Sequence, residues 1–437
     1  MTKNAHLWDP ASGIARGAVP RDEAERRSRN RKTIRTGRIL RAKRNFSYPL
    51  LMSDRAADEQ FMQQALDHAS QGVGLASPNP CVGAVIVGVD GNVVGAGTHT
   101  YDGIKHAEIL ALQQAGENAR DGTLYINLEP CSHQGRTPPC ADAVIAAGVR
   151  RVVASMVDPN PAVAGRGFEK LRAAGLEVEI GAMAEQARRL NEGFARYIRR
   201  GVPFVTLKSA MTLDAKIAPS PTLQDASNRA TGIPLGGWIT GEAARTHVQQ
   251  LRHENDALMV GIGTILADDP LLTDRSGLLR RRPLLRVILD SHLRIPLDSR
   301  LVRSARDGDV IVFFTEDPKE KAICLEEFGL RLEMLTADRG GRVDLHEVMR
   351  RLGQLQINSL MIEGGSIVNG AALAAGIVDK VFLYYAPTIL GESGAVPFAT
   401  RMGLNGSSFP LKIKSVRVHR FEEDVAVEGY IRDPYED

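Results

Sequence analysis

Three residues of this chain could hold a metal ion. His106 opens an expected helix in the run His106-Ala107-Glu108, Cys131 follows Pro130, and Cys140 opens another helix after eight intervening residues. One imidazole and two thiolates suit Zn²⁺, with a fourth position left for water. Such an ion brings the pKa of water towards neutrality and makes hydroxide available at physiological pH. Glu108, two residues beyond the histidine, can face that water and carry its proton to a departing nitrogen. The chemistry this pattern allows is hydrolytic deamination. Two blander arrangements use the same residues: a core histidine beside two buried thiols, and a structural zinc site closed by His133 as fourth ligand. The order of segments, H-A-E, strand, P-C, then a cysteine at a helix start, favours the catalytic site.

The elements that must position these residues can be read from apolar periodicity. Helical stretches are expected over Glu59–Ser70, His106–Ala115, Ala141–Ala147 and Glu185–Arg200, with strands over Cys81–Val87, Val93–Ala96, Leu124–Leu128 and Val152–Met156. Strands alternating with helices imply a layered α/β domain. The turn Gly201-Val202-Pro203 marks a boundary, after which the alternation restarts. Strands are expected over Phe204–Ala210, Ala257–Gly261, Leu285–Leu289, Val310–Phe314, Leu360–Ile362 and Val381–Tyr385, with helices over Ala243–His253 and Leu345–Leu352. The Pro-, Ser- and Gly-rich stretch Ala218–Gly237 reads as a mobile surface loop. The expected layout is a basic extension over 1–52, one α/β domain over 53–201 and a second over 202–437.

Bulk properties agree with two domains. A chain of 437 residues, 43% hydrophobic, exceeds one ordinary core. No apolar run is long enough to span a bilayer and no secretory leader is evident, so a soluble, cytoplasmic protein without membrane partners is expected. Cys81, Cys131, Cys140 and Cys324 are too few for a disulfide scaffold. Residues 1–52 hold thirteen Lys/Arg against four Asp/Glu, a charge of +9; the chain's net +3 leaves −6 for the rest. That extension, crowded with arginines between Arg26 and Arg44, has too few apolar residues to bury a face and is expected to be disordered. Met52 reads as an alternative start.

Further residues around the ligands carry a family resemblance. Ser77-Pro78-Asn79-Pro80-Cys81-Val82-Gly83, Gly97-Thr98-His99, the H-A-E run and Glu129-Pro130-Cys131-Ser132-His133-Gln134-Gly135-Arg136-Thr137-Pro138-Pro139-Cys140 resemble the deaminase half of the bifunctional riboflavin-pathway deaminase/reductase family. The long P-C-S-H-x-G-(R/K)-T-P-P-C segment separates that family from cytidine deaminases. The resemblance implies a cytidine-deaminase-like fold, Glu108 as proton shuttle, and substrate contacts at Asn79, His99, His133 and Arg136. The residue types suit these roles, since an Asn amide can bond a pyrimidine edge, while His133 and Arg136 can meet a ribose phosphate.

No strand of the second domain is followed by a Rossmann glycine fingerprint. Strand Leu360–Ile362 runs through Glu363-Gly364-Gly365 into a helix whose first N–H groups could cradle a phosphate. The segments Leu207-Lys208-Ser209-Ala210-Met211-Thr212-Leu213-Asp214, Trp238-Ile239-Thr240, Leu251-Arg252, Gly263 to Thr273, Asp290-Ser291 and Glu363-Gly364-Gly365 resemble, in order, the family's reductase half. That half is similar in fold to dihydrofolate reductase. The resemblance implies NADPH contacts at Ala210, Trp238, Thr264, Asp268, Ser291, Gly365, Ser366, Ile367, Val368, Asn369, Gly370 and Ala371, and substrate contacts at Arg252, Leu272, Arg275 and Glu363. Both arginines fit a phosphate. One departure is Gly236 in a lengthened loop, where the family usually has a Ser two residues before the Trp.

The family's chemistry implies two steps. The 2-amino group of 2,5-diamino-6-ribosylamino-4(3H)-pyrimidinone 5′-phosphate is replaced by oxygen, and hydride from NADPH then opens the ribosyl group to ribityl. Zn²⁺ and NADPH are the expected cofactors, and a homo-oligomer is expected. A rival enzyme, a nucleic-acid base deaminase gripping RNA through the basic tail, needs aromatic stacking platforms, and the chain is only 5% aromatic. A non-enzymatic rival is a structural-zinc binding module.

Overall fold

The computed structural model describes residues 54–436, apart from 136, 221–237, 307, 317–318 and 401–409. The basic extension, Arg136, Gly236 and nearly all of the expected loop 218–237 therefore lie outside the described residues.

The first half runs α1 (Asp54–Ser70), β1 (Gly83–Val87), β2 (Val93–Thr98), α2 (Ala107–Ala115), β3 (Thr123–Ile126), α3 (Cys140–Ala146), β4 (Arg151–Ala154), α4 (Arg166–Ala173), β5 (Glu177–Ile180), α5 (Ala184–Leu190) and α6 (Glu192–Arg200). Its five strands are ordered β2-β1-β3-β4-β5. β1 pairs antiparallel with β2 and β3, whereas β3, β4 and β5 are parallel. Every residue of β1 is buried, because helices cover both faces. Gly95 and Gly97 let α2 lie flush on β2: a Cβ at either position would overlap the carbonyl of Ala111 or Ala107. That contact fixes where His106 emerges.

One expected helix is divided. Asn191 interrupts the stretch Glu185–Arg200, separating α5 from α6. Its side chain is turned inward, accepting from Cys81 N at 2.8 Å and donating to Cys81 O at 3.1 Å. Asn readily exchanges helical bonds for such contacts.

The second half continues β6 (Phe204–Thr212), β7 (Lys216–Ala218), α7 (Glu242–Glu254), β8 (Ala257–Gly261), α8 (Ile262–Asp268), β9 (Leu285–Leu289), α9 (Arg300–Arg303), β10 (Val310–Phe314), α10 (Lys319–Glu327) and β11 (Arg331–Met334). It ends with α11 (Leu345–Gln354), β12 (Ser359–Ile362), α12 (Ser366–Ala374), β13 (Lys380–Ala386), β14 (Val396–Pro397), β15 (Lys414–Phe421) and β16 (Asp424–Tyr430). Nine strands form one sheet, β11-β10-β9-β8-β12-β6-β13-β16-β15, in which only β16 and β15 run antiparallel to their neighbours. Alternate residues feed two cores: Leu258, Val260, Val312 and Phe314 face one side, Ala257, Met259, Ile311 and Phe313 the other. Both sheets lie in a single compact unit that starts at Met52. Among the described residues no helix is long and apolar enough to cross a membrane.

Candidate functional site

Two helix starts converge in the first half. His106 is the N-cap residue of α2, and Cys140 is the first residue of α3. Cys131 folds back onto α3, its carbonyl accepting from Ala141 N at 3.1 Å and its sulfur from Cys140 N at 3.3 Å. The ligand atoms of His106, Cys131 and Cys140 all lie within 4.8 Å of one another. His106 Nδ1 is 3.1 Å from Cys140 Sγ and 3.6 Å from Cys131 Sγ. A tetrahedral Zn²⁺ with ordinary Zn–N and Zn–S lengths separates such donors by about 3.6 Å. Hydrogen bonding with the Cys140 side chain, aided by His106, holds the Cys131 thiol down to about 4 against its burial, while Cys140 is pushed well up by that same bond. A divalent cation binding both sulfurs takes the place of their protons. The donor set fits zinc.

Glu108, in the first turn of α2, is 2% exposed. Burial raises its carboxyl, with His106 acting the other way. A carboxyl that is easily protonated is suited to carrying a proton. His99 lies beyond the end of β2, its ring edge-on to His106 with centroids 5.3 Å apart. Its Nδ1 donates to Lys105 O at 2.9 Å, so Nε2 is the acceptor for Asn79 Nδ2 at 3.0 Å. Asn79, His99, His106 and Glu108 therefore meet at one place. His133 is exposed in the loop between the cysteines and is not among the three clustered donors, which leaves the structural-site arrangement without its fourth ligand among the described residues.

Sequence reasoning passed over Glu129. Its buried carboxylate accepts from Gly167 N at 2.7 Å, Gly165 N at 2.9 Å, Asp158 N at 3.0 Å and Phe168 N at 3.4 Å. The loop 158–168 is thereby bound to the residue two before Cys131. An acidic residue just beyond a strand was the available signal.

In the second half, β9, β8 and β12 are parallel neighbours, so Ser291, α8 and α12 follow strands that end at the same sheet edge. Ligands of open parallel sheets bind along such edges. Thr264 lies in α8, Gly365 is the N-cap of α12, and Ser366 to Ala371 form its first turns. Ala210 is on β6, next to β12. Gly364 packs so tightly that a Cβ would come within 2.8 Å of Asn369 Oδ1, itself a buried oxygen without a hydrogen-bond partner among the described residues. Ser291 Oγ accepts from Val343 N at 3.2 Å. Asp268 and Trp238 are exposed, and the Arg245 guanidinium lies 5.2 Å from the Trp238 ring centroid.

The substrate candidates divide. Leu272 is buried, with φ of 55°. Arg275 is exposed and tied through its backbone N to Gln249. Arg252 gives its fork to Glu363, at 2.7 and 3.0 Å, and another N–H to Thr273 O at 2.8 Å. Glu363 also meets Lys208 Nζ at 3.7 Å. Burial would raise the Glu363 carboxyl, yet Lys208 and Arg252 together hold it at about 2. Lys208 was not singled out from the sequence, although a lysine inside the largely buried central strand β6 was a signal.

Comparison with known proteins places both halves. The model of the cytidine and deoxycytidylate deaminase zinc-binding region matches residues 55–156, and the RibD C-terminal domain matches 203–427. The riboflavin biosynthesis protein RibD of Aquifex aeolicus is 39% identical over 373 residues, 85% of this chain and 98% of its own length. This chain belongs to the RibD family. RibD of Escherichia coli is 40% identical over 383 residues, again 85% of this chain and 98% of its own. Among solved structures, Acinetobacter baumannii RibD is 36% identical with a TM-score of 0.71, covering 86% of this chain and 99% of that one. The Thermotoga maritima diaminohydroxyphosphoribosylaminopyrimidine deaminase/5-amino-6-(5-phosphoribosylamino)uracil reductase has 35% identity, a TM-score of 0.71 and the same coverages. With both RibD domains present, the chain is a bifunctional deaminase and reductase of riboflavin biosynthesis.

Proposed function

We propose that residues 53–201 deaminate 2,5-diamino-6-ribosylamino-4(3H)-pyrimidinone 5′-phosphate and that residues 202–437 reduce the product's ribosyl group with NADPH. The observation that carries this reading is the convergence of His106, Cys131 and Cys140 beside buried Glu108. When bound there, zinc supplies the Lewis acidity that makes water nucleophilic at neutral pH. Glu108 takes the proton of the attacking water and passes it to the 2-amino nitrogen, which leaves as ammonia while oxygen remains on the ring. Asn79, held by His99, bonds the pyrimidine edge; His133 and Arg136 meet the phosphate.

NADPH, when bound, supplies hydride to C1′ of the sugar. The N–H groups opening α12 hold its phosphates, with Ala210, Trp238, Thr264, Asp268 and Ser291 completing that site. Arg275 and Arg252, the latter held by Glu363, meet the sugar phosphate, and Leu272 and Glu363 complete the substrate site. A homo-oligomer belongs to the same reading: β15 is an edge strand that exposes Val416 and Val418, open to pairing with a second copy. A cytoplasmic setting belongs to the same reading, since cysteines used as metal donors rather than in disulfides are the common pattern of that compartment.

One coupled assay tests the reading. The diaminopyrimidine phosphate should release ammonia and only then oxidise NADPH. Ammonia release from zinc-free protein at the full rate would refute it.

A further inference from the structure

The segment between α1 and β1, which carries Asn79, has no regular structure of its own and is closed by the other half of the chain. Within the segment, Ala76 N bonds Gly72 O at 2.8 Å and Asn79 N bonds Ala76 O at 2.9 Å. The carbonyls of Ser77 and Pro78 and the Ser77 hydroxyl, just before Asn79, reach residues of the reductase half. Arg281 donates to Ser77 O from Nε at 3.1 Å and from Nη2 at 2.7 Å. Asn358 Nδ2 donates to Pro78 O at 2.8 Å. Ser77 Oγ donates to Asp256 Oδ2 at 2.8 Å and accepts from Arg282 Nη2 at 3.1 Å. Arg281 also bonds Gly74 O through its backbone N at 2.9 Å and lies 4.2 Å over the Tyr101 ring. At Gly74 a Cβ would come within 2.9 Å of the His253 ring, so the two halves meet there without spare room.

From this we infer that Arg281 and Asn358, although they belong to the reductase half, are positioning residues for deamination. They hold the carbonyls of Ser77 and Pro78, and so fix the backbone from which Asn79 reaches His99 and the pyrimidine. Neither touches the zinc donors, and neither belongs to the reductase site described above. The fusion of the two halves then does more than tether them: the deaminase recognition loop is completed by the partner domain. Loosening that backbone weakens what the Asn79 amide gains from the pyrimidine, since hydrogen bonds weaken steeply with distance and angle. This inference rests on the reading that Asn79 binds substrate.

The test uses the full chain with zinc loaded. Arg281→Ala and Asn358→Ala should each raise KM for ammonia release by up to about tenfold, the size of one lost hydrogen bond. Their kcat, zinc content and NADPH oxidation on the deaminated substrate should stay near those of the parent. Arg281→Lys, which keeps one donor for Ser77 O, should recover part of the loss. In an Asn79→Ala background, Arg281→Ala should add nothing further. Asn358→Ala removes a single donor and reads the same clamp should Arg281→Ala fail to fold. An unchanged KM in both variants overturns the proposal, as does an Arg281→Ala effect that persists in full when Asn79 is already Ala. A silent Asn79→Ala variant by itself overturns the earlier assignment of Asn79.

Discussion

Replacing Glu129 by Gln should uncouple the loop beyond β4 from the Pro130–Cys131 segment. Oε1 accepts from Gly167 N and Phe168 N, and Oε2 from Asp158 N and Gly165 N. Gln preserves the shape and one acceptor, but its other end becomes an NH₂ group aimed at two backbone N–H donors. Whichever way the amide is turned, two bonds to a charged acceptor are lost. Each is worth about 1.5–3 kcal/mol, so a loss of about 3–6 kcal/mol is expected. Water cannot easily replace them, because Glu129 is 5% exposed. Pro130 O also lies so close to Gly167 that a Cβ there would overlap it, so loosening the 158–168 loop must disturb the approach to Cys131. Urea titrations followed by zinc release to a chromophoric chelator would read this directly. The midpoint for zinc release should fall, and the resting zinc content with it. A variant with full zinc and a stability loss below about 1 kcal/mol would refute the argument, since that is the worth of one ordinary hydrogen bond.

Cys140→Ser should lose zinc as measured by metal analysis, because the cluster then offers only two strong donors; undiminished zinc would sink the ligand assignment. Glu108→Gln should keep zinc yet slow ammonia release by about 10²–10⁴-fold, the usual worth of a positioned proton carrier; a near-normal rate would point to a structural site. The Glu363 carboxyl, ordinarily at 4.5 and held at about 2 when folded, contributes stability that is present above 4.5 and lost as pH falls towards 2. Glu363→Gln should therefore flatten the acid limb of a urea-midpoint profile by about 3 kcal/mol between those limits, and parallel profiles would contradict this. A chain begun at Met52 should retain both activities, as no proposed site residue precedes it; loss of either activity in the folded, truncated protein would count against it.

The sequence by itself singled out the three residues that cluster as candidate zinc donors, because each is tied to a local signal: His106 and Cys140 stand at helix starts, and Cys131 follows a proline. It also determined most strands, and β8, β9 and β10 begin and end where the apolar runs do. Those runs are legible because parallel strands covered on both faces are nearly continuous in apolar residues, Arg286 of β9 being the exception. The tertiary structure alone decided the rest. Asn191 divides one expected helix in order to reach Cys81, 110 residues away. Arg252, read as a phosphate partner, gives its fork to Glu363 across 111 residues, and Lys208 joins them from a strand whose pattern signalled only burial. Arg281 and Asn358 close the Asn79 loop over separations of 204 and 280 residues. Periodicity and spacing report what a residue does within its own element. Which carboxylate an arginine finds, or which carbonyl an asparagine caps, follows from how two sheets and their loops come together, and no local pattern encodes that pairing.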